Sequence, residues 1–220
     1  MPLSKREKEV SLTKVKKKTK ESKSNLVSEL RKAVDSYAHV FVYSVENMRS
    51  SKFVQVRQKF KTNSRFFFGK NNVMSIAFGK NKSGEYADGL HKISQRLKGQ
   101  CGIMFTNADK EEVLSYFREL RDADFARAGY VAPETITLDE GPLPQFPFSV
   151  EPQFRKLGLP TMLEKGAVHL SQPWTVCTEG EPLSPEQSRL LKMLNQKVAS
   201  FHVTLTAYWS KQTGVQDVVM

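Results

Sequence analysis

The sequence predicts an α/β fold, a discontinuous α/β domain carrying a small inserted α+β domain. Three observations lead there. From residue 24 to 125, strand-like and helix-like segments alternate, the pattern of a two-layer or three-layer α/β domain. Nine of the ten prolines then fall between Gly129 and Pro185, which restricts that stretch to short elements and extended segments. After it a strongly periodic helix and an alternating strand return, as expected if the chain rejoins its first domain. A chain of 220 residues is long enough for this arrangement.

The expected boundaries are a flexible basic arm over 1–23, an α/β domain over 24–125, an insertion over 126–182, a return over 183–210 and a tail over 211–220. The arm is Lys-rich with few large apolar residues, too few to offset the entropy of ordering. From Ser24, a plausible N-cap, Leu26, Val27, Leu30, Ala33 and Val34 share one helical face. Ala38–Val45 is rich in β-branched and aromatic residues and reads as a buried strand. Ser50 or Ser51 then caps a helix carrying Phe53, Val54, Val56 and Phe60. Arg65-Phe66-Phe67-Phe68 reads as a short buried strand ending at Gly69, and Asn71 or Asn72 starts a helix through Val73, Met74, Ile76 and Ala77.

A further helix is expected from Tyr86 to Leu97, stopped by Gly99, followed by a strand at Ile103–Thr106. The next helix, Asp109 to Leu120, has acids in its first turn, where the helix dipole favours them. In the Pro-rich region Val168–Leu170 and Thr175–Cys177 read as small strands. Ser184, Pro185 and Gln187 form the start signal of the returning helix, whose core stripe is Leu190, Leu191, Leu194 and Val198. Phe201–Trp209 alternates with period two and reads as a strand.

Hydrophobic content of 39% and charged content of 26% exclude wholesale disorder. The formal net charge is +11, unevenly spread: residues 1–82 hold 20 Lys and Arg against 6 Asp and Glu, whereas residues 83–220 hold 14 against 17. That asymmetry points to a phosphate-rich partner for the first part. The two cysteines, Cys101 and Cys177, form no C-x-x-C pair, which excludes zinc-finger spacing and fits reduced thiols inside a cell. No apolar run is long enough to cross a bilayer, and the N-terminus lacks the apolar core of a secretory signal. The run Lys14–Lys20 has the composition of a nuclear address.

Catalytic patterns are not found. Gly69-Lys70-Asn71 follows a strand and precedes a helix, but Ser64 stands where a phosphate-binding loop has its first glycine, and Asn71 replaces the magnesium-binding Ser or Thr. The tripeptide still suits a backbone-phosphate contact; the plainer reading is that Gly69 only ends a strand. His39, His91, His169 and His202 are scattered without metal-ligand spacing. Asp122 with Asp124 and Glu179 with Glu181 read as solvated turn pairs. No enzyme activity, metal or cofactor is expected.

The basic signal is one-sided. Between Asn47 and Lys82 lie Arg49, Lys52, Arg57, Lys59, Lys61, Arg65, Lys70, Lys80 and Lys82 without one Asp or Glu. Such a stretch repels itself unless a polyanion faces it. It shows neither a single-strand stacking platform, since Phe66–Phe68 read as buried, nor the signature of an RRM. Recognition of a folded RNA by backbone and shape fits better. The candidate RNA contacts are Arg49, Lys52, Arg57, Lys59, Lys61, Arg65, Gly69, Lys70, Asn71, Asn72 and Lys80, with Lys14, Lys16, Lys17 and Lys18 of the arm in support.

Several segments also resemble a known family. Phe68-Gly69-Lys70-Asn71-Asn72, Leu97-Lys98-Gly99 leading to Gly102–Thr106, Ala126–Gly129 with Ala132-Pro133, Phe154–Thr161 and Lys165-Gly166 occur in the order seen in the ribosomal stalk-base (large-subunit acidic stalk protein) family. Within it, Met1–Arg6, Arg121–Arg127, Val176–Glu181 and Phe201–Thr204 are most similar to the assembly-factor branch. The resemblance implies a discontinuous rRNA-binding domain with an inserted domain. It further implies a nucleolar and nuclear protein, present also on late cytoplasmic precursors. Its partners would be the stalk-base rRNA of the large subunit, the pre-ribosomal particle and a neighbouring L11-type ribosomal protein, with no membrane involved. The protein would act as a monomeric placeholder, later replaced by the stalk protein. The acidic extension of the mature stalk protein has no counterpart before Met220. The alternative is a mature stalk-base protein without that tail.

Overall fold

The computed structural model describes residues 19–218. Lys14, Lys16, Lys17 and Lys18 lie outside the described residues. The first helix, α1 (Lys20–Ser36), starts before Ser24: Thr19 is the N-cap, its hydroxyl accepting from the Ser22 amide. The first turn therefore belongs to the helix rather than to an arm ending at residue 23. Lys20, Glu21, Ser22 and Lys23 carry no apolar side chain, so hydrophobic period is silent there and the cap alone marks the start.

Strand β1 (His39–Glu46) follows, then α2 (Ser50–Lys59), β2 (Ser64–Phe67), α3 (Asn71–Phe78), α4 (Leu90–Arg96), β3 (Cys101–Thr106), α5 (Lys110–Glu119) and β4 (Arg121–Asp124). Two expectations change here. Neither Ser50 nor Ser51 caps α2; Arg49 occupies the N-cap position without a side-chain hydrogen bond to the helix. The helix expected from Tyr86 begins only at Leu90, because Gly89 takes a left-handed conformation immediately before it.

The insertion contains β5 (Ile136–Leu138), β6 (Gly141–Pro142), α6 (Glu151–Lys156), β7 (Thr161–Glu164), β8 (Ala167–Leu170), β9 (Trp174–Cys177) and α7 (Pro185–Met193). Its strands make two small sheets, β5-β9 and β6-β8-β7. Then β10 (Ala199–Ser210) runs back through the first domain, and β11 (Gly214–Asp217) closes against it. Part of the expected tail is thus an edge strand. Its residues, Gly214-Val215-Gln216-Asp217, are too polar and too few to announce a strand; pairing with β10 makes one.

The main sheet has the order β11-β10-β1-β3-β2, with β4 also paired to β10. All its pairings are antiparallel. Side chains alternate across it. Val40 and Val42 of β1 join Leu30, Val34, Met74, Phe78, Leu90 and Ile93 in one core. Phe41, Tyr43 and Val45 join Phe53, Val56, Val113 and Phe117 in the other. Helices α1, α3 and α4 therefore cover one face and α2 and α5 the other, a three-layer arrangement. Burial on both faces is why β1 reads as a continuous apolar run.

A third core holds Phe154, Leu159, Val168, Leu170, Val176 and, from α7, Leu190 and Leu191. Helix α7 packs with the insertion, so the chain rejoins the first domain at β10 rather than at residue 183. Period and capping reveal a helix but not which core receives its apolar stripe. Its start is as expected: Ser184 Oγ accepts from the Gln187 amide at 3.1 Å, and Gln187 accepts in return from the Ser184 amide at 2.8 Å.

Candidate nucleic-acid interface

The basic segment spans α2, β2 and α3, and the fold divides its cations into three groups. Arg49 and Lys52, at the start of α2, turn inward. Arg49 Nε lies 3.1 Å from an Asp124 carboxylate oxygen, and its Nη2 donates to the Phe125 carbonyl at 2.6 Å. Lys52 donates to the Ala123 carbonyl at 3.0 Å and sits 3.6 Å from Asp122. From the other side, Arg127 donates to the Met48 carbonyl at 2.8 Å. Asp122 and Asp124, which read as a solvated turn pair, instead anchor these cations.

The second group remains exposed. Arg57 lies over Phe53, Lys59 over Tyr116 and Arg65 over Phe67, with guanidinium or ammonium 4.6–5.4 Å from the ring centroids. These rings support the stems of the cations while the charged heads meet solvent. Arg65 also pairs with Glu29 of α1. Lys61 is exposed in the turn after α2. Lys80 is exposed beyond α3, at the opposite end of that helix from Lys70.

The third group is the Gly69-Lys70-Asn71-Asn72 motif. Here the end of β2 meets α3, beside the end of β1 and the start of β3. These segments surround a cleft of about 610 Å³, lined among others by Val45, Met48, Phe68, Lys70, Asn72 and Gln100. No carboxylate is among its lining residues. Lys70 is the N-cap of α3 and offers the helix no side-chain hydrogen bond, so its ammonium extends outward as an exposed charge. Gly69 is tight for a different reason from an ordinary strand end: a Cβ there would stand 2.8 Å from Leu26 and 3.2 Å from Met74.

Asn71 is committed inside the protein. Its amide donates to the Gly99 carbonyl at 2.9 Å, and its oxygen accepts from the Cys101 thiol at 3.4 Å. It ties the start of α3 to the loop leading into β3. Burial pushes the Cys101 thiol up from its ordinary value, which keeps it protonated as this contact requires. Phe68 departs from expectation. Its ring is 40% exposed at the cleft rather than buried in a strand, because β2 ends at Phe67 and the chain turns toward Gly69. The cue was present in the neighbouring glycine, which shortens the strand.

Among the described residues no group of three or more His, Cys, Asp or Glu is placed to share a metal ion. His91 pairs with Glu85 at 2.6 Å, and His202 faces Glu46 at 3.4 Å. No helix is long and apolar enough to cross a membrane among the described residues.

A family model described as ribosomal protein L10 matches residues 18–122, and a second, described as the insertion domain in the 60S ribosomal protein of that name, matches residues 126–195. The chain is 40% identical over 211 residues, covering 96% of itself and 94% of the relative, to a Dictyostelium discoideum protein named ribosome assembly factor mrt4. The chain belongs to the ribosomal protein L10 family. A Saccharomyces cerevisiae member named ribosome assembly factor MRT4 is 32% identical across 99% of the chain and 97% of its own length. A Pyrococcus horikoshii member named large ribosomal subunit protein uL10 is 27% identical over 79% of the chain but only 51% of its own length. The likeness thus extends over nearly the full length of the Mrt4 members and over about half of this uL10 member.

Proposed function

We propose that this member of the L10 family is an assembly factor of the large ribosomal subunit that binds stalk-base rRNA in precursor particles. It holds the site until the acidic stalk protein replaces it. The reading rests above all on one observation: exposed Arg57, Lys59, Lys61 and Lys70 follow one another through α2, β2 and α3 with no acid in the intervening sequence. Full-length similarity to relatives named ribosome assembly factors supplies the biological setting.

The mechanism is binding without a chemical step. Exposed cations neutralise phosphates and release counterions, which makes affinity fall steeply with salt. Gly69, Lys70 and Asn72 carry the close contact at the start of α3, where free amides and a lysine suit a phosphate. Arg57, Lys59, Lys61, Arg65 and Lys80 widen the footprint, and Lys14, Lys16, Lys17 and Lys18 add charge from the N-terminal segment. Arg49, Lys52 and Asn71 support this surface from within. The protein acts as a monomer beside an L11-type ribosomal protein, in the nucleolus and nucleus and on late cytoplasmic precursors.

The test is the combined charge reversal Lys59→Glu, Lys61→Glu and Lys70→Glu, read by sedimentation of nuclear large-subunit precursors. All three side chains are exposed, so folding should survive while association is lost. Undiminished association would overturn the assignment. The distribution of the unaltered protein decides its stage: nuclear precursors support the placeholder, whereas polysomes would make it a working ribosomal component.

A further inference from the structure

The cleft beside Lys70 is built differently from a surface that only follows phosphates. Its wall includes a large aromatic ring, and its floor is apolar: Val45 is buried and Met48 half-buried. Phe68 is held in place while remaining 40% exposed. Its ring centroid lies 5.3 Å from that of Tyr43, at 89°, and 5.0 Å from that of Phe53, at 64°. Both are edge-to-face contacts that fix orientation and leave ring surface unpartnered.

The rim is polar and cationic. Lys70, Asn72 and Gln100 are exposed around the opening. Gly99 keeps the approach clear, since even a Cβ at that position would meet nothing within 4 Å. Asn71 joins the two sides through Gly99 and Cys101, so the opening is held in shape before any occupant arrives.

An apolar slot with one fixed aromatic wall, polar amides at its mouth, a lysine beside it and no carboxylate in its lining complements one chemical object in particular. A nucleobase has a flat apolar face, hydrogen-bonding edges and a phosphate attached at a short distance. Double-helical RNA hides its bases, and proteins read sequence mainly where a base is unpaired and splayed out. The volume of about 610 Å³ accommodates a base with its ribose.

We infer that the cleft captures one unpaired nucleobase of the bound RNA, stacked on Phe68, with its edge toward Gln100 and Asn72 and its phosphate toward Lys70. This rests on the rRNA-binding function proposed above and adds a point of sequence readout to a surface otherwise suited to shape and charge. Asn71 is a positioning residue: it touches the cleft walls rather than the base.

The experiment uses the full chain and a large-subunit rRNA fragment spanning the stalk-base region, with 2-aminopurine placed at one unpaired position at a time. The expected result is a marked fluorescence change on binding at a single position, lost in Phe68→Ala and retained in Phe68→Tyr. Phe68→Ala should weaken binding by roughly 5- to 100-fold, the range for loss of one stacked base, with the salt dependence unchanged. Gln100→Ala, at an exposed side chain, should reduce discrimination between bases at that position without affecting stability. Binding with no position responding overturns base capture and leaves the rRNA assignment standing, whether or not Phe68→Ala folds. A folded Phe68→Ala with wild-type affinity also overturns it. Failure of the unaltered protein to bind the fragment overturns both.

Discussion

Gly102 of β3 lies opposite Tyr43 of β1, and the tyrosine ring occupies the space that a side chain at position 102 would need. A Cβ on Gly102 would stand 2.5 Å from Tyr43 Cζ and Oη and 2.9 Å from the Phe67 carbonyl. Two of these atoms belong to a buried ring and the third to backbone, so none can yield cheaply. Gly102→Ala is expected to destabilise the protein by about 1–3 kcal/mol, the ordinary cost of overpacking, as a lowered urea midpoint. Gly99→Ala is the contrast: no atom obstructs it, but its φ of +66° costs a left-handed strain of about 1 kcal/mol.

Tyr43 also carries a buried hydroxyl with no hydrogen-bond partner among the described residues. Burial pushes its pKa far up, so the ring stays neutral at any pH the fold survives. Tyr43→Phe removes the unpartnered oxygen and keeps the ring. It should leave stability within about 1 kcal/mol of the parent or raise it, as read by thermal unfolding.

Arg49 and Asp124 connect the start of α2 to the end of β4. Both are partly exposed, and solvent screens their attraction. Arg49→Ala should therefore cost only about 1 kcal/mol globally. Its local effect is expected to be larger: chymotryptic cleavage after Phe125 should accelerate, because the Phe125 carbonyl loses its donor.

Ser184→Ala removes one half of the capping box of α7. The expected loss is about 1 kcal/mol, concentrated in faster hydrogen exchange over residues 185–193. Because Leu190 and Leu191 belong to the insertion core, the loss should spread to β9 and leave β1 protected.

His39 provides a pH test. Burial, its largest influence, lowers its pKa from the ordinary 6.5, against a smaller opposing pull from Asp109. The unfolded chain therefore takes up this proton first as pH falls. Stability from His39 is complete above about pH 6.5 and is lost as pH drops through the lowered folded value. In His39→Gln the thermal midpoint should vary less between pH 7 and 5. An unchanged pH profile would remove His39 from the account of acid sensitivity.

Local signals made much of this fold legible. The unbroken apolar run of β1 announces a strand covered on both faces, Asp109 marks the start of α5, and Ser184 with Gln187 marks α7. Elements decided at a distance were not legible. Only pairing with β10 makes β11 a strand, and only tertiary contact commits Arg49 and Lys52 to partners beyond residue 120. In the candidate site, charge pointed to the Gly69–Asn72 motif. It could not tell that Asn71 is occupied by Gly99 and Cys101, or that Phe68 faces outward while Phe67 is buried.

The register between β4 and β10 sets Asp124 opposite Ala199 and Arg121 opposite His202. Everything between those strands therefore leaves and re-enters the main sheet through one antiparallel hairpin. In this geometry the insertion is a graft on a single stem. Excising it and closing the stem with a tight turn would shorten the chain greatly yet interrupt no hydrogen bond of the central strands, so each module can change at its own pace.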